Sequence, residues 1–279
     1  MINGFTNRFT WKYSNFDAPS TTPGTSVTPG ATNAEGSWTQ IASAANIANE
    51  VCGILLWVVA GNTTATQKDH LLDIGVDPAG GTSYTAKISN IICGQSSSAV
   101  NGGIWFYFPM NIMAGSTVAA RIQGSSGTAG TVRVGATFYG RPSRPEYGRC
   151  GQYSETVGTI TNSGGVSFTP GNSAAEGSWV SLGTTTHACW FWQVAAQISN
   201  STTTSLVYHI DLAYGDGSNK HMIIENRPML LPGTAEQTSM PLDLQGACEV
   251  PAGATLYVRG ACSGTAVTGF NAVAIGIGG

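Results

Sequence analysis

Apolar and polar residues along this chain alternate with a period of two in several runs, as in Thr131-Val132-Arg133-Val134-Gly135-Ala136. Helical periodicity is absent. Alternation marks strands because successive side chains leave opposite faces of an extended backbone. Turn signals such as Asp77-Pro78-Ala79-Gly80-Gly81 and Asn101-Gly102-Gly103 separate the runs. The pattern predicts strands over Trp38–Ala42, Val51–Ala60, His70–Val76, Tyr84–Cys93, Ile104–Phe108, Thr117–Gln123 and Thr131–Tyr139. A second series falls at Trp179–Leu182, Cys189–Ala196, Leu206–Ala213, His221–Asn226, Leu242–Cys248, Thr255–Cys262 and Phe270–Ile277.

The two series belong to one repeated plan. Val27-Thr28-Pro29-Gly30 leads into Ala34-Glu35-Gly36-Ser37-Trp38, and Phe168-Thr169-Pro170-Gly171 leads into Ala175-Glu176-Gly177-Ser178-Trp179, 141 positions on. Met113-Ala114-Gly115-Ser116-Thr117 running to Arg121 is echoed by Pro251-Ala252-Gly253-Ala254-Thr255 running to Arg259, 138 positions on. A period this long is that of duplicated globular domains, since solenoid and propeller units run about 20–50 residues. The expected fold is all-β: two tandem, duplicated antiparallel β-sandwiches of jelly-roll-like form behind an extended N-terminal arm. The expected divisions are an arm over 1–24, a first sandwich over 25–141, a Pro/Arg linker over 142–164 and a second sandwich over 165–279.

Composition adds a surface to this picture. Only 10% of the 279 residues are charged, against about 25% in ordinary proteins. The net charge of −3 gives no electrostatic footprint for nucleic acid. Weak charge suits a chain covered by its neighbours. No apolar run approaches the roughly 20 residues of a membrane helix. The first residues lack the apolar core of a secretory signal, so folding in the cytosol is expected. The six cysteines show no metal-ligand spacing, and most are expected to be buried free thiols.

The arm carries Phe5, Arg8, Phe9, Trp11, Tyr13 and Phe16. These aromatics need a surface, either their own first domain or a neighbouring subunit; the docking role is the expectation carried forward. Asp73 and Asp211 recur at matching places, as do Arg121 and Arg259, so each pair is expected to form a structural clamp. The shared Glu35 and Glu176 read as turn residues before a core tryptophan, because one position in each of two domains cannot form a glycosidase pair about 5–9.5 Å apart. Glu225 and Glu236 are the default carboxylates of a glycan hydrolase. Trp190 with Trp192, and Trp105 with Tyr107, share strand faces and are the candidate sugar-stacking platforms, unless both faces are buried. The four histidines do not match between copies, and no metal or other cofactor is expected. No nucleophile elbow, phosphate loop or dinucleotide fingerprint is present, and the chain is expected not to be an enzyme.

The aromatic arm, the two Thr-Pro-Gly…Glu-Gly-Ser-Trp modules and the Ala-Gly turns together resemble tandem β-sandwich virion proteins of tailed bacteriophages and gene transfer agents. The resemblance implies a head decoration, head spike or tail component, assembled in host cytoplasm and residing in the virion. It implies other copies of the chain and shell or tail proteins as partners, with a host-surface glycan as a further one. A carbohydrate-binding module for adsorption to cells is the alternative expectation.

Overall fold

The structure, a computed structural model, describes residues 11–16, 24–60, 70–93, 104–125, 131–140, 149–161, 164–198, 206–231, 248–266 and 270–279. Among the described residues every regular element is a strand. In the first half these are β1 (Lys12–Ser14), β2 (Thr25–Val27), β3 (Thr39–Ala42), β4 (Val51–Ala60), β5 (His70–Asp77), β6 (Thr85–Ile92), β7 (Ile104–Phe108), β8 (Thr117–Gly124) and β9 (Val132–Gly140). The second half holds β10 (Tyr153–Val157), β11 (Thr159–Ile160), β12 (Gly164–Phe168), β13 (Val180–Thr184), β14 (Phe191–Ile198), β15 (Leu206–Gly215), β16 (Lys220–Leu231), β17 (Thr255–Cys262) and β18 (Phe270–Gly278).

Each half is a pair of antiparallel sheets. In the first, β9 sits between β4 and the successive strands β1 and β2, with β7 beyond β4, and the facing sheet runs β3-β8-β5-β6. In the second, β18 sits between β14 and the successive strands β10 and β12, and the facing sheet runs β13-β17-β15-β16. The crossing of consecutive strands between sheets is that of a jelly roll. Alternation does the sorting: Ile54, Leu56 and Val58 of β4 and Leu72 and Ile74 of β5 point into one apolar core. Trp192, Val194 and Ala196 of β14 meet Tyr208, Ile210 and Leu212 of β15 in the other.

The ladders of the two halves coincide in register. Trp57 stands opposite Gly135 in the first and Ala195 opposite Val273 in the second, both members displaced by 138. Thr25 opposite Val134 corresponds to Val166 opposite Ala272. The Ala-Gly turns also coincide: Gly115 (φ 80°) and Gly253 (φ 82°) adopt the left-handed conformation that glycine takes freely. Their N–H groups donate to Ile47 and Thr185 carbonyls at 2.7 and 2.9 Å.

Three sequence expectations change. Tyr153–Val157, read as linker, is a strand laid along the edge of β18 from Gly278 to Ala274. Its alternation is too polar to stand out. The arm, read as a segment ahead of the first sandwich, has a counterpart in the second half: Lys12 opposite Tyr139 occupies the place of Ser154 opposite Ile277. Trp11, Tyr13 and Phe16 therefore do not await a partner. Trp11 and Tyr13 pack against the first core, Tyr13 stacking on Phe138 at 6.2 Å, and Phe16 lies 6.1 Å from Trp57 and 5.9 Å from Trp105. Phe5, Arg8 and Phe9 lie outside the described residues.

Cys52 and Cys150 form a disulfide with Cα atoms 5.3 Å apart, inside the usual 4.4–6.8 Å range. Cys93, Cys189, Cys248 and Cys262 are thiols. The bond is not duplicated: Cys189 stands in the place of Val51, each bridging the matching partner, Val250 or Ile112.

A duplicated polar clamp as the candidate functional site

Outside each core, on the far face of its four-stranded sheet, lies the same polar cluster. Asp73 of β5 stands opposite Arg121 of β8, and Asp211 of β15 opposite Arg259 of β17. Asp73 Oδ2 accepts from Arg121 Nε at 2.9 Å and lies 2.9 Å from Nη2; Asp211 Oδ2 accepts from Arg259 Nε at 2.9 Å. The aspartates are 4% and 1% exposed, so each carboxylate needs a partner inside the protein.

The remaining carboxylate oxygens do backbone work. The β5–β6 ladder slips between Leu72 and Ile74, and the β15–β16 ladder between Ile210 and Leu212. At each slip an asparagine takes a left-handed conformation, Asn90 at φ 58° and Asn226 at φ 52°. Its N–H donates to the aspartate Oδ1 at 2.7 Å in both halves. The carboxylate thus satisfies a donor that the bulge removes from the ladder. Neither asparagine was singled out from sequence. The available signal was an asparagine recurring inside a strand, a position it disfavours.

The Glu-Gly-Ser-Trp motif covers this cluster. Arg121 also pairs with Glu35, and Arg259 with Glu176 at 3.6 Å. Trp38 and Trp179 lie over the guanidinium groups, each 4.4 Å from ring centroid to Cζ. Such stacking on a partly exposed arginine is worth about 0.5–2 kcal/mol. Trp38 and Trp179 are half-buried lids on an arginine, where the sequence predicted core fillers. Gly75 of β5 leaves room beneath the Trp38 ring, since a Cβ there would lie 2.7 Å from it.

Burial raises the Glu35 carboxyl above its ordinary value; Arg121 opposes the shift and Asp73 adds to it. Glu176 is raised likewise, by burial first and then by Asp211, against Arg259 and His209. Asp73 holds Arg121 through two of its nitrogens, so Glu35 is the second carboxylate on one cation. A carboxyl raised by folding stabilises the fold at low pH. That contribution declines as pH rises from the ordinary glutamate value of 4.5 through the folded value. In melts at successive pH values, the Glu35→Gln/Glu176→Gln variant should therefore gain on the wild type as pH rises across that window. A constant difference would contradict the shift.

The candidate sugar platforms are occupied. Trp192 is fully buried, its indole N–H donating to the Cys189 carbonyl at 3.3 Å. The expectation of an exposed ring fails there because the inward side of β14 faces its own core. Trp190 packs against the first core with Arg149 stacked 5.0 Å from its ring. Trp105 is flanked by Phe16 and Trp57, and the Tyr107 carbonyl accepts from the Gln193 side chain. Trp105 and Tyr107 share the outer face of β7, half-buried. Glu225 is exposed on β16, and Glu236 lies outside the described residues. Among the described residues no group of three His, Cys, Asp or Glu could hold a metal ion.

Fold and cluster together define a tandem jelly-roll chain with one polar clamp per sandwich. The chain matches no protein-family model and no curated protein sequence. Similar solved structures include PNGase F, a glycosylasparaginase from Flavobacterium meningosepticum, at 11% identity over 96% of both chains with a TM-score of 0.33. They also include the major capsid protein P2 of bacteriophage PM2, at 7% identity over 96% of this chain and 98% of that one, TM-score 0.33. A third is the CBM22-1–CBM22-2 tandem of Paenibacillus barcinonensis Xyn10C, at 13% identity over 82% and 79%, TM-score 0.27. Likeness at this level carries no activity or ligand across. It does correct the expectation that the chain is not an enzyme: glycosylasparaginases stand among its similar structures, so lack of a familiar catalytic spacing is no ground for excluding catalysis.

Proposed function

We propose that the chain is a multi-copy structural subunit of a virus particle, a head decoration, spike or tail component of a tailed-phage-like virion. The observation that carries this reading is the in-register duplication. Two copies of one sandwich in one chain present the same strands and turns twice, which suits contact with repeating neighbours. A low charge density favours such contacts, since little repulsion must be overcome. In this reading the chain is divided as two sandwiches, with the segment before Trp11 as the docking arm and Phe5, Arg8 and Phe9 as its contact residues. An arm of this kind loses conformational entropy on docking and recovers free energy by burying aromatic area.

The test joins two measurements. Particles banded on a density gradient should contain the chain at a fixed ratio to the other virion proteins by mass spectrometry. A chain lacking residues 1–10 should keep the wild-type melting temperature and be lost from the band. Removal of residues 1–24 is expected to destabilise the first sandwich as well, because it deletes β1. Absence of the full chain from purified particles would overturn the structural reading; normal incorporation of the shortened chain would overturn the arm.

A further inference from the structure

The two halves meet over a buried face and along a short segment, residues 149–152. In the second half the outer face of the β10-β18-β14 sheet is buried, with Phe191, Ala195, Val273, Ile275 and Ile277 at 5% exposure or less. These side chains belong to the same apolar cluster as the first core. The first half covers them through its edge strand β6. The Ser154 hydroxyl donates to the Lys87 carbonyl at 2.7 Å, and the Thr156 hydroxyl to that of Ser89.

Both halves grip the segment. The Gly151 N–H donates to the Pro109 carbonyl at 2.7 Å, and the Gly151 carbonyl accepts from the Asn111 N–H at 2.8 Å, both on the first half. The Gln152 N–H donates to the Gly278 carbonyl of the second half at 2.7 Å. A Cβ on Gly151 would collide with the Ile277 side chain, so this glycine rests directly on the second half's face. The duplication shows the same grip from two sides. Cys52 and Trp190 are equivalent positions, each following the residue that bridges Ile112 or Val250. Arg149 stacks 5.0 Å from the Trp190 ring, and Cys150 is bonded to Cys52. Cys52 is the extra residue where β4 slips on β9 between Val51 and Gly53, and such a bulge re-aims a side chain. The docked arrangement of the halves is therefore what sets Cys150 beside Cys52.

The bond changes the tether between the sandwiches. Without it, Gly140 at the end of β9 and Tyr153 at the start of β10 are joined by twelve residues, 141–152. With it, the covalent path leaves the first half at Cys52 and reaches Tyr153 from Cys150 across Gly151 and Gln152 alone. A shorter tether holds two surfaces at a higher effective concentration.

We propose that Cys52 and Cys150 form a reversible redox latch between the two sandwiches, closed by a small disulfide and opened by excess thiol. Cys150 is half-buried and Cys52 is 3% exposed, so Cys150 is the sulfur that a small reagent reaches. In closing, the Cys150 thiolate attacks the small disulfide and displaces one thiol, leaving a mixed disulfide. The Cys52 thiolate then attacks the Cys150 sulfur and displaces the second thiol. Two protons and two electrons pass from the cysteines to the small disulfide, which ends as two thiols. Opening is the reverse. With the latch open, hydrogen bonds and apolar contact alone hold the junction, and the second sandwich can lift from β6 on the longer tether. Cytosolic thiols keep such a pair open, and an oxidising medium closes it. The proposal stands independently of the virion reading.

The test uses the purified full chain without denaturant, equilibrated at several ratios of reduced to oxidised glutathione. Alkylation and mass spectrometry count the thiols, and peptide mapping locates the bond. Excess thiol should open Cys52–Cys150, and oxidised glutathione should restore the same pair. Hydrogen exchange is then compared between the two states. Peptides carrying the Asn111, Gly151 and Gln152 amides should exchange about tenfold faster in the reduced chain, while those of β15 and β17 stay unchanged. Cys150→Ser kept in oxidising buffer should exchange as the reduced wild type does. A bond that opens only on unfolding, or that fails to reform in the folded chain, would overturn the proposal. So would equal exchange at the junction in both states, or a loosening shared by every strand, which would make the bond a general staple.

Discussion

Asp211→Ala should lower the stability of the protein by about 3 kcal/mol, and Asp73→Ala should match it, as judged by denaturant unfolding. Two losses coincide in each case. The arginine is left with its glutamate alone, 3.6 Å away for Arg259 and 2.5 Å for Arg121, and the asparagine N–H at the strand bulge loses its acceptor. Because the guanidinium groups keep 27% and 23% side-chain exposure, water compensates part of the first loss and the figure sits at the lower end for a broken buried pair. Asp211→Asn should cost less than Asp211→Ala, because an amide oxygen still accepts from Asn226. A double-mutant cycle on Asp73 and Arg121 should give a clear coupling energy; additive effects would show that the pair is not a clamp.

Trp192→Ala should cost about 3–5 kcal/mol, the range for deleting a large aromatic from a packed core. The side chain has no exposed area and rests on Gly276, whose Cβ position would fall 2.7 Å from the ring. Gly276 has no side chain to fill the space the indole leaves, so the cavity cannot close without moving β18. Trp192→Phe should lose less. A Trp192→Ala chain with wild-type unfolding behaviour would place the ring outside the core and reopen it as a sugar platform.

Much of the core could be read directly. β7 and β17 fall where alternation places them, and the Ala-Gly turns fall where the repeat places them. Strands with one apolar and one polar face declare themselves, because burial on a single side imposes a period of two. β1, β10 and β12 did not declare themselves. They are short and carry few aliphatic side chains, and pairing with β9 or β18 is what holds them. The Asp–Arg pairing was legible because a duplicated chain repeats whatever its fold requires. The asparagine that completes each cluster was hidden, because a bulge is a property of two paired strands and leaves little trace in either one.

The sequence by itself determined the all-β class, the repeat and the Asp–Arg pair of each clamp, because these follow from local alternation and from self-similarity. Tertiary structure alone decided which face of each strand is covered, and by what. Trp190 and Trp192 stand two residues apart on the same strand face by periodicity, yet one packs against the first core and the other fills the second. The first half covers the outer face of the second, and Cys52 meets Cys150 across 98 residues of chain. Contacts between distant segments depend on how sheets stack, which no window of sequence encodes.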